Sequence, residues 1–188
     1  QDKKEIANAS EKTWIIDCFK TCVPKNEKIA PIICDRPGQI EESWSWNGPQ
    51  DGNFELTSDY DQDNVFIHLK TRDDNVVADS LNPAQPQDKL FFVFSADTSF
   101  TQKNTVKIEL HAGEQKGRKG EIQGRCKAEK AGLSGTLVIS RKLLVTNAFR
   151  LNIGFRDQDD TTSSDQSILW WKPLWKSKAD YRRSGIDR

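Results

Sequence analysis

Methionine is missing from all 188 residues. A chain with no initiator of its own is expected to be the mature form of an exported protein, its signal peptide cleaved upstream of Gln1, or else a truncated piece of a longer chain. The same absence excludes a Met–His haem ligation. Net charge is missing as well: 28 Lys plus Arg balance 28 Asp plus Glu. That balance removes the electrostatic ground for a nucleic-acid or anionic-membrane partner. No apolar run approaches the roughly 20 residues that a membrane helix needs. Neither G-x-x-x-x-G-K-[ST] nor G-x-S-x-G occurs, so no phosphate cradle or nucleophile elbow is offered.

Cysteine is scarce but clustered. Cys18, Cys22 and Cys34 lie in the first 35 residues and Cys126 stands alone. An even count fits two disulfides, with three possible pairings; reduced, buried thiols are the other reading. The spacing C-x3-C-x11-C, with only His68 and His111 to help, matches no common zinc pattern. A disulfide framework puts the chain in an oxidising compartment: secreted, periplasmic or on the cell surface.

Strands dominate what is there. Val106 to His111 alternates apolar with polar, and Phe149 to Arg156 does so over eight residues, the period of a half-buried strand. Leu90 to Phe94 is a continuous apolar run suited to a central strand buried on both faces. Further strands are expected at 65–71, 121–126, 136–140 and 167–171, with turn signals such as Asp61-Gln62-Asp63-Asn64 and Asn82-Pro83 between them. Regular strands with turn signals predict an all-β, two-sheet antiparallel β-sandwich of immunoglobulin-like or jelly-roll type. Residues 1–39, with their cysteines and prolines, are expected as an irregular N-terminal strap. The sandwich would span 40–176, and 177–188 would form a loose basic tail.

The order of motifs resembles family 9 carbohydrate-binding modules. Trp46-Asn47-Gly48-Pro49-Gln50-Asp51, Phe54-Glu55-Leu56 and Tyr60-Asp61 resemble that family's opening. Asn64 to Asp74 resembles its strand ending in an acid, and Gln87 to Asp97 its strand that starts and ends on Asp. Thr136 to Ser140 with Arg141-Lys142-Leu143-Leu144, then Leu151 to Asp159 through Ile168 to Trp171, resemble its late strands. The resemblance covers about residues 40–175. It implies a sandwich without catalysis, structural calcium, and a sugar held between aromatic rings. The loop Asn75 to Pro86 departs from the pattern, because it lacks the aromatic that saccharide-binding members carry there.

Tryptophan suits saccharide recognition because a pyranose C–H face packs on the indole. Trp46, Trp170, Trp171 and Trp175 are the candidate stacking residues. Trp170 and Trp171 point to opposite faces of one strand, so one is expected in the core. Asp73, Asp88, Asp157 and Asp159 are the candidate calcium ligands; carboxylates converging after strands repel one another unless a hard cation neutralises them. Asp59, Asp61 and Asp63 have the start of an EF-hand loop, but Lys70 stands where a bidentate Glu is required, so a solvated turn is expected. His68 and His111 fall on the polar phase of their strands and read as surface residues. Taken together these features predict an exported, non-catalytic domain that binds a polysaccharide or oligosaccharide. The second reading is a structural or protein-interaction sandwich that has lost the sugar site.

Overall fold

The computed structural model describes residues 15–17, 23–27, 30–35, 40–41, 46–96, 105–145, 148–162 and 166–171. Among the described residues, thirteen strands and one short 3-10 turn, Arg141–Leu143, make up the regular structure. The strands are β1 (Ile15–Asp17), β2 (Val23–Pro24), β3 (Ile32–Cys34), β4 (Ile40–Glu41), β5 (Gly52–Tyr60), β6 (Asn64–Asp73) and β7 (Lys89–Ser95). They continue with β8 (Thr105–Leu110), β9 (Gln115–Arg118), β10 (Ile122–Glu129), β11 (Gly132–Ser140), β12 (Ala148–Gln158) and β13 (Gln166–Trp170). One sheet runs β4-β13-β12-β7-β8, with β1 also paired to β12; we call it sheet A. The other, sheet B, runs β2-β5-β6-β11-β10-β9, with β3 also paired to β5. All pairings are antiparallel except β2 with β5, which is parallel.

Alternation explains the core. On β12 the odd positions Phe149, Leu151, Ile153 and Phe155 are fully buried. Leu90, Phe92 and Phe94 of β7 face the same way. Sheet B answers with Phe54 and Leu56 of β5, Val65, Ile67 and Leu69 of β6, and Leu133, Leu137 and Ile139 of β11. These side chains form one apolar cluster between the sheets. The sheets meet closely where glycine removes bulk: a Cβ at Gly135 would lie 2.3 Å from Leu90 Cδ1 across the interface. The predicted sandwich is therefore the observed one, and the apolar run at β7 is covered on both faces apart from the half-buried Phe91.

Two expectations need correction. The stretch read as an irregular strap contributes β1 to sheet A and β2 and β3 to sheet B. Strands of two or three residues are too short to show a period, which is why the pattern was silent there. The disulfide framework that joins all four cysteines is not formed, because Cys126 is a buried free thiol on β10. Cys34 of β3 lies in the same sheet, with β5, β6 and β11 between. Four inter-strand steps separate the two by roughly 19 Å, far beyond the reach of a disulfide. Burial, then the charges of Glu114 and Asp88, push the Cys126 thiol up to about 12. Cys18 and Cys22 lie outside the described residues, as does the tail at 177–188.

Candidate functional site

Two chemically distinct features share one end of the sandwich. The first is acidic and internal. Asp73 closes β6 on the same phase as Leu69 and Thr71. Asp157 follows Phe155 on β12, and Asp88 precedes Leu90 by two residues. The alternation that drives apolar side chains inward therefore carries all three carboxylates between the sheets. They are 5%, 2% and 0% exposed, and a carboxylate oxygen from each lies within 4.8 Å of the other two. Gly52, on the facing strand, leaves the space that Asp157 uses: a Cβ there would sit 2.7 Å from its Oδ2.

No cation among the described residues neutralises this trio. Asp73 Oδ2 and Asp157 Oδ1 are buried with no hydrogen-bond partner. Burial, then the charge of Asp73, raises Asp88 to about 9. Burial, then the neighbouring Asp73, Asp51 and Asp159, raises Asp157 to about 8. Asp73 is raised too, mainly by burial. Unpartnered oxygens on converging buried carboxylates are a donor set that suits a hard divalent cation.

Asp159 does not join this trio. It groups with Asp51 and Asp74 in a second, more exposed cluster, each residue lying one step beyond a strand end. Asp51 was not among the expected ligands but lies in this second cluster. Its signal was position alone: like Asp74 and Asp159, it flanks a strand whose inward phase ends in this corner.

The second feature is a groove on the outer face of sheet A. Asp88 ties it to the acids by accepting hydrogen bonds from the backbone N–H groups of Val77 (2.8 Å) and Gln158 (3.0 Å). The loop between β6 and β7 is fixed further by the fully buried Gln87. Its Oε1 accepts from Asp79 N at 3.1 Å, and its Nε2 donates to the carbonyls of Asp79 and Asn82. Asp79 Oδ1 in turn accepts from the N–H groups of Leu81 and Asn82. The tip of this loop, 84–86, forms one wall of a groove of about 510 Å³, lined also by Lys89, Arg156, Gln158, Thr162 and Gln166.

Register places an apolar ledge beside the groove. Lys89 pairs with Arg156 and Arg156 with Ile168 across the sheet; two residues along, Phe91 pairs with Gly154 and Gly154 with Trp170. The rows are about 7 Å apart. Trp170 lies across Gly154, where a Cβ would meet its ring at 2.7 Å, and its centroid is 5.6 Å from that of Phe91. Val93 and Ile168 complete this outer apolar cluster.

The other predicted aromatics are elsewhere. Trp46 and Trp171 are half-buried and pack against the main core, and Trp46 Nε1 donates to the Gly52 carbonyl at 2.9 Å. Trp170, the one expected to alternate with Trp171, is 7% exposed. Trp175 lies outside the described residues. His111, expected at the surface, is buried at the end of β8, its Nδ1 3.0 Å from the Ala112 carbonyl and its Nε2 3.3 Å from Glu114. His68 is on the exposed face of sheet B as expected, 2.8 Å from Asp59.

No protein-family profile matches the chain, and no curated protein matches it. The fold is similar to two solved structures of a carbohydrate binding module family 9 from Caldicellulosiruptor kristjanssonii. The one in complex with glucose shares 12% identity at a TM-score of 0.45, covering 84% of this chain and 87% of that chain. The one in complex with cellotriose shares 13% identity at a TM-score of 0.44, covering 81% of this chain and 84% of that chain. Among the described residues, no helix is long and apolar enough to cross a membrane.

Proposed function

We propose that this chain is a non-catalytic saccharide-binding sandwich whose ligand lies in the groove of sheet A, against the Phe91–Trp170 ledge. The observation that carries this reading is the adjacency of two unlike surfaces. A groove lined by amide, hydroxyl and cationic side chains stands one pleat from an aromatic ledge. A pyranose ring has the same two characters, with C–H faces that favour aromatics and hydroxyls that favour polar side chains. The groove falls in the usual range for small-molecule sites, about 300–1,000 Å³. The ordered motifs from Trp46 to Trp171, which resemble family 9 modules, support the same assignment. Stacking falls to the half-buried Phe91, with the 7% exposed Trp170 packed beside it as support.

Asp73, Asp88 and Asp157 would hold a structural calcium ion, which supplies the positive charge that three buried carboxylates lack. Through its hydrogen bonds to Val77 and Gln158, Asp88 keeps the groove wall and floor in place. A polysaccharide partner supports a location outside the cell or at its surface. The cysteines give that location less support than expected, since Cys126 is a thiol.

The test is calorimetric titration with neutral and charged mono- to trisaccharides in calcium-containing buffer. Micromolar to millimolar binding, lost in Gln166→Ala combined with Phe91→Ala, is the expected result. Absence of binding across such a panel would overturn the reading. It would favour instead the protein-interaction sandwich, for which Leu81, 88% exposed on its braced loop, is the supporting observation.

A further inference from the structure

Charge in the groove is unevenly settled, and that unevenness narrows the ligand. Two cations line it, Lys89 and Arg156, and no carboxylate does. Lys89 is already paired, its Nζ 2.8 Å from Glu109 on the neighbouring β8. Arg156 is different. Its guanidinium carbon lies 5.2 Å from the Phe91 ring centroid, and that is its side chain's one interaction among the described residues. Its Nε–H is buried and has no hydrogen-bond partner. The acids on the strands packed against it are committed elsewhere or face inward. Glu109 holds Lys89, and Asp157, next in sequence, points to the opposite face of β12 among the core carboxylates.

A half-buried guanidinium with a dry, unpaired N–H is costly unless something anionic completes it. The cation–π contact with Phe91 restrains the guanidinium, which lowers the entropy lost when a planar anion docks. Arg favours carboxylate because two parallel N–H donors match its two oxygens.

We propose that the groove selects an acidic saccharide and that Arg156 receives the carboxylate of a uronic acid unit while the pyranose lies toward the exposed edge of Phe91. This proposal rests on the saccharide reading and deepens it. A sulfate ester on a sugar presents similar anionic oxygens, so the experiment includes one.

The test compares cellobiouronic acid, cellobiose and glucose 6-sulfate by calorimetry at low and at high ionic strength. Cellobiouronic acid should bind at least tenfold tighter than cellobiose at low salt, with the margin shrinking at high salt. Glucose 6-sulfate should bind more weakly than the uronate, because a tetrahedral sulfate fits the planar fork less well. Arg156→Gln, checked for an unchanged circular dichroism spectrum, should bring the two disaccharides to equal affinity. Arg156→Lys should keep part of the salt-dependent margin, since the charge survives without the fork. Equal affinities in the unaltered protein, or a preference that persists in Arg156→Gln, would overturn the proposal and leave the saccharide assignment standing. A stronger response to glucose 6-sulfate would overturn the uronate assignment. No binding of any of the three, neutral or acidic, would remove both.

Discussion

The two ends of β6 hold acids in opposite conditions. At its start, Asp61 sits in the turn from β5 and accepts hydrogen bonds from the backbone N–H groups of Asp63 (2.9 Å) and Asn64 (2.8 Å). Those donors, with Lys25 and Arg141 nearby, hold its carboxyl below the usual range. At the other end, Asp73 is buried beside Asp88 and Asp157, and all three are raised. A carboxylate with amide donors and water is settled by the chain itself. A carboxylate between sheets, facing others of its kind, is settled only by a proton or a cation. The contrast separates an acidic turn from an acidic site, and each prediction below presses on one side of it.

The largest effect should come from calcium. Saturating the trio at a hundredfold excess over Kd would stabilise the fold by about 2.7 kcal/mol, roughly 5–10 °C in Tm for a chain of this size. EDTA should reverse that shift in a thermal melt. In Asp157→Asn the calcium-induced rise should vanish, while the melting temperature in EDTA should hold or increase because a buried carboxyl that must take up a proton without the ion is replaced by a neutral amide. A transition indifferent to both calcium and EDTA would take the ion out of the account.

The sign of the pH dependence should differ between the two ends. Asp88 and Asp157 rise from 3.8 to about 9 and about 8. The folded chain then binds protons that the unfolded chain releases. Their contribution is full below pH 3.8 and is lost as pH rises through 8 and 9. Without calcium, stability should decline across that window, and the rise produced by calcium should be larger at pH 8 than at pH 5. Asp61 runs the other way: its contribution is present above 3.8 and fades as pH falls through its lowered value. Melts at several pH values, with and without EDTA, separate the two.

A smaller effect tests the space around the acids. Gly52→Ala places a Cβ 2.7 Å from Asp157 Oδ2. The carboxylate must swing away, so calcium affinity should drop on the order of tenfold, in line with other disturbances of ligand support. Stability in EDTA should change little, because what yields is the end of a side chain.

Much of this corner was legible in the sequence, for a reason that can be named. Period-two alternation fixes phase, and phase puts Asp73 with Leu69, Asp88 with Leu90, and Asp157 with Phe155. Three of the four expected ligands converge on that account. Asp159 went to the other cluster because it follows the end of β12, where phase no longer binds the chain. The groove was not legible. It depends on Gln158, Arg156 and Gln166 meeting the loop tip at 84–86, contacts set by register across β7, β12 and β13 and by a loop whose brace, Gln87, has no distinctive spacing. Trp170 shows the limit of residue type as a guide. Its ring packs over Gly154 on the adjacent strand and against Phe91, and composition carries no trace of that pairing.

The smallest effect belongs to the turn. Asp61→Ala removes two capping hydrogen bonds at an exposed site, and the freed N–H groups can turn to water. The cost should be about 1 kcal/mol or less, the usual net worth of such bonds. Arg141 would keep its place, because it donates to the Asp61 and Gln62 carbonyls rather than to the carboxylate. The decisive feature is what should not change. The calcium-induced rise in Tm should equal that of the unaltered protein, since the turn lies at the far end of β6 from the trio. A smaller calcium response in Asp61→Ala would mean that the two acidic ends are coupled along the strand, and that the acidic turn belongs to the site after all.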